Sequence, residues 1–439
     1  MNLYSLTFLF RFLPVFLLIY YLTPLKWRKY VLLLGSLLYV RCVSAAAVLP
    51  MLGAALVNWA LSWAMGFAPR LCLAAGVAAD LGLLLAARAG AVSLLGASFV
   101  VFSLLSYLFD VYRREIEPAP PVDLAAYAAM FPRLSAGPIA RYPALADAVR
   151  APVCTCAEVE HGLGLLIVGL AYKVLLADPL GGLWALAGKI GYESLSAPMA
   201  WLCAAGFSLQ LYFDFQGYSL MAIGLGRMLG LPLPTNFDSP YAARSVSEFY
   251  RRWHITLGAW FRDYVYIPLG GSRAGTARTL RNLLAVWLLT GLWHGTTPTF
   301  VLWGLFLFVW VALEKLGLRR ALDRFPVLAH VYVPVVILLS WVIFAVDTPA
   351  DLALYYSRLF APLTGMAGVN VNPADYLTLG ARYVPTLLAG AFFALPFAGR
   401  FLERHRRSPL VRVGLLALFW FAVARLSGSA STPFLYTQF

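Results

Sequence analysis

The stretch Leu283-Leu-Ala-Val-Trp-Leu-Leu-Thr-Gly-Leu-Trp-His-Gly-Thr-Thr-Pro-Thr-Phe-Val-Leu-Trp-Gly-Leu-Phe-Leu-Phe-Val-Trp-Val-Ala-Leu313 carries no charged side chain, and its one ionisable group is His294. A helical membrane span needs about 20 predominantly apolar residues, and this run exceeds that. Apolar stretches near spanning length recur at 3–22, 30–48, 49–67, 71–87, 91–109, 162–176, 199–215, 327–346, 385–397 and 411–423. The pattern predicts an all-α, polytopic membrane protein with roughly 9 to 12 transmembrane helices. Composition agrees: 61% of the 439 residues are hydrophobic and 12% charged, against roughly 25% charged in soluble domains. The first stretch has no basic region before it and no small-residue cleavage site after it, so a retained helix is expected.

The net charge is +14. Its cations gather at the ends of apolar stretches: Lys26, Arg28 and Lys29; Lys315, Arg319, Arg320 and Arg324; Arg400, Arg404, Arg406 and Arg407. That is the signature of cytoplasmic loops, so membrane lipids account for the charge and no nucleic-acid partner is needed. The five cysteines are an odd set, and no histidine stands at ligand spacing from Cys154-Thr-Cys156; neither a disulfide framework nor a metal site is expected. With no repeat period and no long linker, residues 1–439 read as one membrane domain with its core at about 206–314.

Two segments interrupt the apolar pattern. Between Arg113 and Arg150 stand Pro118, Pro120, Pro121, Pro132, Pro138 and Pro143, a density that allows only loops and short helices. From Tyr241 to Arg281 there are seven arginines against Glu248 and Asp263. Here Trp253, Leu257, Trp260 and Tyr264 fall at helical spacing on one face, and Glu248 can pair with Arg244 and Arg251, predicting an amphipathic helix that lies at the membrane interface or packs obliquely into the bundle. Tyr266-Ile-Pro-Leu-Gly-Gly271 then reads as a turn.

Of five histidines, His161 and His405 sit among charged residues and His330 opens an apolar stretch. His294 is different, because an ionisable group at membrane depth is costly and usually faces a cavity or a partner. Desolvation keeps an imidazole neutral and able to accept a proton, which suits a general base. Packing against Thr290 or Thr296 is the alternative, and the residues alone leave both open. Gly291 and Gly295 beside it suggest room for a substrate. His254 lies beside Arg251 and Arg252 on the amphipathic block. Asp214, in an aromatic apolar span, and Asn236, in a turn, are each able to orient a histidine, bind a hydroxyl or satisfy a broken helix. No nucleophile elbow, Walker loop or dinucleotide fingerprint occurs in a suitable context.

The run Asn236-Phe-Asp-Ser-Pro-Tyr-Ala-Ala-Arg-Ser-Val-Ser-Glu-Phe-Tyr-Arg-Arg-Trp-His-Ile-Thr-Leu257, continued by Trp260-Phe-Arg-Asp-Tyr-Val-Tyr-Ile-Pro-Leu-Gly-Gly-Ser-Arg273 and Gly291-Leu-Trp-His-Gly295, closely resembles the membrane-bound O-acyltransferase (MBOAT) family. The branch is the bacterial one that contains the alginate O-acetyltransferase membrane subunit. Ser106-Tyr-Leu-Phe-Asp-Val-Tyr-Arg113, Phe131-Pro-Arg-Leu-Ser-Ala-Gly-Pro-Ile-Ala-Arg-Tyr142 and the ending Pro433-Phe-Leu-Tyr-Thr-Gln-Phe439 extend the similarity over nearly the whole chain.

The resemblance implies a ring of helices around a central funnel or tunnel in a bacterial inner membrane. It implies His294 as the catalytic histidine and His254 as its second. Asp214, Asn236, Arg251, Arg252, Trp253, Arg262 and Trp293 are the expected substrate-binding residues, with the arginines meeting phosphates of a thioester donor. Acetyl-CoA is then a donor substrate and no tightly bound cofactor is expected. The acceptor is a cell-envelope polysaccharide or a relay, with an extracytoplasmic acyltransferase as partner protein. Two departures bear on the acceptor: Leu95-Gly-Ala-Ser-Phe-Val-Val-Phe-Ser103 replaces a Pro-Leu-Gly-Ile-Ser-Phe run, and Gln216-Gly-Tyr-Ser-Leu220 lacks the acid common in alginate-type members. D-alanyl transfer from a carrier protein is the alternative within the family. A transporter or lipid flippase is the alternative outside it, and the internal repeats that many transporters show are not evident.

Overall fold

A computed structural model describes residues 1–273, 275–365, 368–428 and 434–435. Pro433 and positions 436–439 of the terminal motif lie outside them. Among the described residues every extended element is helical, and the one β-type pairing is an isolated bridge between Phe237 and Trp253. The protein is an all-α, multi-pass membrane protein. Among the described residues, six helices are long and apolar enough to cross a membrane, or 7 if the bent pair Tyr376–Phe393 and Pro396–His405 is one span. This is below the 9 to 12 expected for physical reasons that differ from place to place. Phe8–Leu22 and Ala97–Tyr112 are apolar but shorter than a full span. The helix Ala197–Met228 interrupts its apolar sequence with Gln210, Asp214, Gln216 and Arg227.

The helices gather into two compact units: Met1–Leu170, Gly217–Thr235 and Gly414–Ala430 form one, and Ala171–Gln216, Asn236–Val413 and Ser431–Phe439 the other. In the first, helices touch backbone to backbone through glycine. A Cβ on Gly162 would lie 2.4 Å from the Gly224 carbonyl oxygen, and one on Gly169 would lie 2.4 Å from that of Gly217. The proline-rich segment is built of short pieces as expected, Pro121–Ala129, Phe131–Arg133 and Tyr142–Arg150. Asp123 ties them down by pairing with Lys29 at 2.8 Å and Arg150 at 3.0 Å.

In the second unit the stretch quoted above is two helices, Thr276–His294 and Pro298–Leu313. Gly295 is extended and Pro298 occupies the first turn of the second helix, where its missing N–H costs nothing. At Gly291 and Gly304 the two arms pack backbone to backbone. A Cβ on Gly291 would meet the Phe300 carbonyl oxygen at 2.4 Å, and one on Gly304 that of Trp287 at 2.5 Å. The space expected for a substrate beside Gly291 and Gly295 is therefore already filled: by Phe300 backbone at the first and by the Phe300 ring, 2.2 Å from a Cβ, at the second.

The amphipathic block is not one helix. It divides into Val246–Arg252, Ile255–Phe261 and a π-helical turn Arg262–Tyr266. Leu257, Trp260 and Tyr264 do share burial, but Trp253 lies before the break and packs instead on Phe237, Phe249 and Trp341. The pairing also differs from the expected one. Glu248 takes Arg252 at 2.8 Å and accepts the backbone N–H of Arg244, while Arg251 stays exposed. Ser245 caps the Val246–Arg252 helix by accepting the Glu248 N–H, as the Ser-x-x-Glu spacing favours.

Candidate active site

The break in the amphipathic block creates the first element of the site. Asn236 and Asp238 run alongside 252–255, with the Asp238 N–H donating to the Arg252 carbonyl and the Ile255 N–H to the Asn236 carbonyl. Between those two bonds His254 adopts φ 47°, ψ 52°, a left-handed conformation that costs a non-glycine residue roughly 1–2 kcal/mol. Such strain persists only where surrounding structure over-determines it. Here the Leu257 and Gly258 N–H groups both donate to the His254 carbonyl and start the next helix on it.

Three groups converge on the Asn236 side-chain oxygen Oδ1: the Thr256 N–H at 3.3 Å, the Thr256 hydroxyl at 2.9 Å and His254 Nδ1 at 3.1 Å. The backbone donor fixes that atom as the amide oxygen, so Nδ1 must carry the proton and Nε2 is the acceptor nitrogen. Burial lowers the His254 pKa from 6.5 to about 3, and the ring is neutral at physiological pH.

His294 is the last residue of its helix and sits inside an aromatic box. Its ring centroid lies 4.5 Å from Trp293, 4.9 Å from Phe344 and 5.0 Å from Trp303, all edge-on. Only 5% of it is exposed. The free carbonyls of a helix C-terminus favour positive charge, so an imidazolium formed at this position meets a complementary dipole.

Both histidines line one chamber of about 110 Å³, walled by Trp253, Trp287, Trp303 and Trp341. A wider cavity of about 620 Å³ shares Tyr250, Gly258, Val286 and Trp287 with it. The wider cavity is lined by Arg251, Arg262, Lys315 and Arg319, and by one acid, Glu314. The arrangement is a cationic vestibule adjoining a small aromatic chamber that holds two imidazoles.

The structure thus brings together His254, His294 and Trp253 in the chamber, with Asn236 bonded to His254 and Trp293 near both imidazoles, 4.5 Å from His294 and 6.1 Å from His254. Arg251 and Arg262 line the vestibule, the latter also gripping Asp263 through two bonds of 2.7 and 3.0 Å. Arg252 lines neither space and is held by Glu248 and Asp238. Asp214 also stands apart: it pairs with buried Lys173 at 2.8 Å and accepts the Leu435 N–H at 2.8 Å.

Sequence reading missed Glu314. It is 4% exposed and accepts from the Val246 and Ser247 N–H groups, the Ser247 hydroxyl and the Tyr332 hydroxyl. It thereby fixes the start of the helix that ends at Arg252, next to the Trp253–His254 break. An acid closing an uninterrupted apolar run was the available signal. Lys315 and Arg319, read only as loop charges, also face the vestibule.

A sequence model of MBOAT, the membrane-bound O-acyltransferase family, matches residues 4–345. The chain is 33% identical to the probable alginate O-acetylase AlgI of Pseudomonas putida over 99% of both proteins. It is 35% identical to the peptidoglycan O-acetyltransferase of Helicobacter pylori over 48% of this chain and 45% of that one. With the teichoic acid D-alanyltransferase of Lacticaseibacillus rhamnosus it shares 30% identity over 53% of this chain and 62% of the relative.

Proposed function

The chain belongs to the membrane-bound O-acyltransferase family, and from that membership we propose that it transfers an acetyl group from cytosolic acetyl-CoA to a hydroxyl acceptor, the polymer or a relay, for O-acetylation of a cell-envelope polysaccharide in a bacterial inner membrane. Family membership makes it an enzyme and removes the transporter alternative. The single observation that carries the finer reading is the pairing of spaces: a vestibule with four cationic side chains adjoins a small aromatic chamber holding His254 and His294. The phosphates of a coenzyme A donor match the vestibule, with Arg251, Lys315 and Arg319 as their partners. The small chamber suits a short acyl group.

In this reading His294 takes the proton of the acceptor hydroxyl as its oxygen bonds to the thioester carbonyl carbon. The carbon–sulfur bond then breaks, and the proton passes to the departing thiolate. His254, neutral and with its Nδ1 proton committed to Asn236, assists by positioning, its ring held fixed in the wall of the same chamber. The aromatic walls exclude water that would hydrolyse the thioester. An extracytoplasmic acyltransferase completes delivery to the polymer.

Acetyl is favoured over D-alanyl because similarity to the alginate relative covers 99% of the chain, against 53% for the D-alanyltransferase. The test is to offer membranes or proteoliposomes radiolabelled acetyl-CoA and, separately, a D-alanyl carrier protein. Label from acetyl-CoA is expected in the polymer fraction, and His294→Ala is expected to lower its rate by about 10²–10⁴-fold. An unchanged rate in that variant removes His294 as the base, and labelling only from the D-alanyl carrier replaces the donor.

A further inference from the structure

We propose that the helix Pro396–His405 is a seat for the anionic headgroups of phospholipids. It follows the apolar segment Tyr376–Phe393 after a bend of 63°. Ten residues of helix reach about 15 Å, half the thickness of a bilayer core, so it cannot cross.

Its surface divides into three strips. Ala398, 8% exposed, marks the side that packs on the protein. Phe397 and Phe401, four apart, stand 61% and 56% exposed. Arg400 and Arg404, also four apart and exposed, flank the phenylalanines on the other side, and exposed Arg407 follows. Among the described residues, none of these three arginines has an ion-pair partner, whereas Arg406 leans on Glu403 at 3.5 Å. From Arg400 to Arg412 there are five arginines and one glutamate.

Exposed aromatic rings beside unneutralised guanidinium groups fit one environment closely. The rings enter the boundary between acyl chains and headgroups, while the arginines remain at the depth of the phosphates. Charge decides between lipids: a zwitterionic headgroup offsets its phosphate with an ammonium, and phosphatidylglycerol does not. The seat lies beyond residue 345, where the family match ends, and is independent of the acyl-transfer reading.

The test uses the full chain reconstituted in phosphatidylcholine bilayers with trace spin-labelled phosphatidylglycerol or phosphatidylcholine. The motionally restricted fraction of each label gives the relative association by electron paramagnetic resonance. Wild type is expected to prefer phosphatidylglycerol by about two- to fivefold at low salt, less at high salt. The variant R400Q/R404Q/R407Q is expected to lose the preference, and R273Q/R278Q, in a different exposed basic segment, to keep it. If the triple variant does not fold, R400Q/R404Q gives the same comparison. Equal association of both lipids with wild type, or a preference that the helix variants retain, overturns the proposal.

Discussion

His254 Nδ1 stands 3.1 Å from Asn236 Oδ1, and this one contact fixes both the tautomer and the orientation of the imidazole. Asn236→Leu keeps the bulk and removes the acceptor, so the ring loses its reference. The acyl-transfer rate is expected to fall on the order of 10²-fold, as it does when a catalytic group is misplaced by about 1 Å. On the proposed reading the vestibule sets the donor KM, which is expected to hold. Asn236→Asp, which keeps an acceptor oxygen, should recover part of the rate. Steady-state kinetics with acetyl-CoA check both, and a full-rate Asn236→Leu variant would show that His254 needs no such support.

Burial also ties His254 to the pH dependence of stability. Its folded-state pKa of about 3 lies below the ordinary 6.5, so between those values the unfolded chain binds a proton that the folded chain does not. Its contribution is intact above about pH 6.5 and is lost as pH falls toward 3, at a slope of up to roughly 1.4 kcal/mol per pH unit. Thermal unfolding of detergent-solubilised wild type and His254→Gln isolates the effect. The gap between the two melting temperatures should change through that window and stay level above pH 7.

Gly291→Ala places a methyl group 2.4 Å from the Phe300 carbonyl oxygen, a backbone atom with no rotamer to yield. The arms of the hairpin must separate, at a cost of about 1–3 kcal/mol, and His294 moves with them. Gly53, in the helix Val48–Ala64, has nothing within 4 Å of a would-be Cβ. Gly53→Ala is therefore expected to be neutral or to stabilise by up to about 1 kcal/mol. Melting temperatures of the pair give the comparison, and equal effects would contradict the packing.

Glu314→Ala removes four accepted hydrogen bonds and leaves two backbone N–H groups at a helix start with no acceptor. A loss of about 3 kcal/mol is expected. Glu314→Gln should recover only part, since its amide NH₂ faces donors. Because the same helix carries Arg251, the alanine variant is also expected to raise the donor KM several-fold; an unaltered KM with lowered stability would confine Glu314 to a structural part.

Much of this was legible from residue types alone. An apolar sequence with cations at its joints specifies a helical membrane protein, and the histidine in the longest apolar run was conspicuous because nothing else there ionises. The breaks were harder to read. Trp253, Leu257, Trp260 and Tyr264 keep helical spacing across a point where the backbone is left-handed, and periodicity is blind to one inverted residue. Asp214 shows the opposite difficulty: a buried acid advertises a function, yet its partners, Lys173 and the Leu435 N–H, lie 41 and 221 positions away. The Gly291 and Gly304 contacts escaped for a related reason, as a glycine leaves the same gap in a sequence whether ligand or backbone will occupy it.

Those glycines determine how the site tolerates change. Between Gly291 and the Phe300 carbonyl no side chain intervenes, so the helix that ends in His294 is located by main chain against main chain, and the surrounding rings set only the rotamer of the imidazole. Enlarging or trimming the tryptophans around it changes the size of the chamber but leaves the backbone of residue 294 where it stands. The lining can thus be changed one ring at a time, whereas the hairpin that carries His294 has a single packing solution.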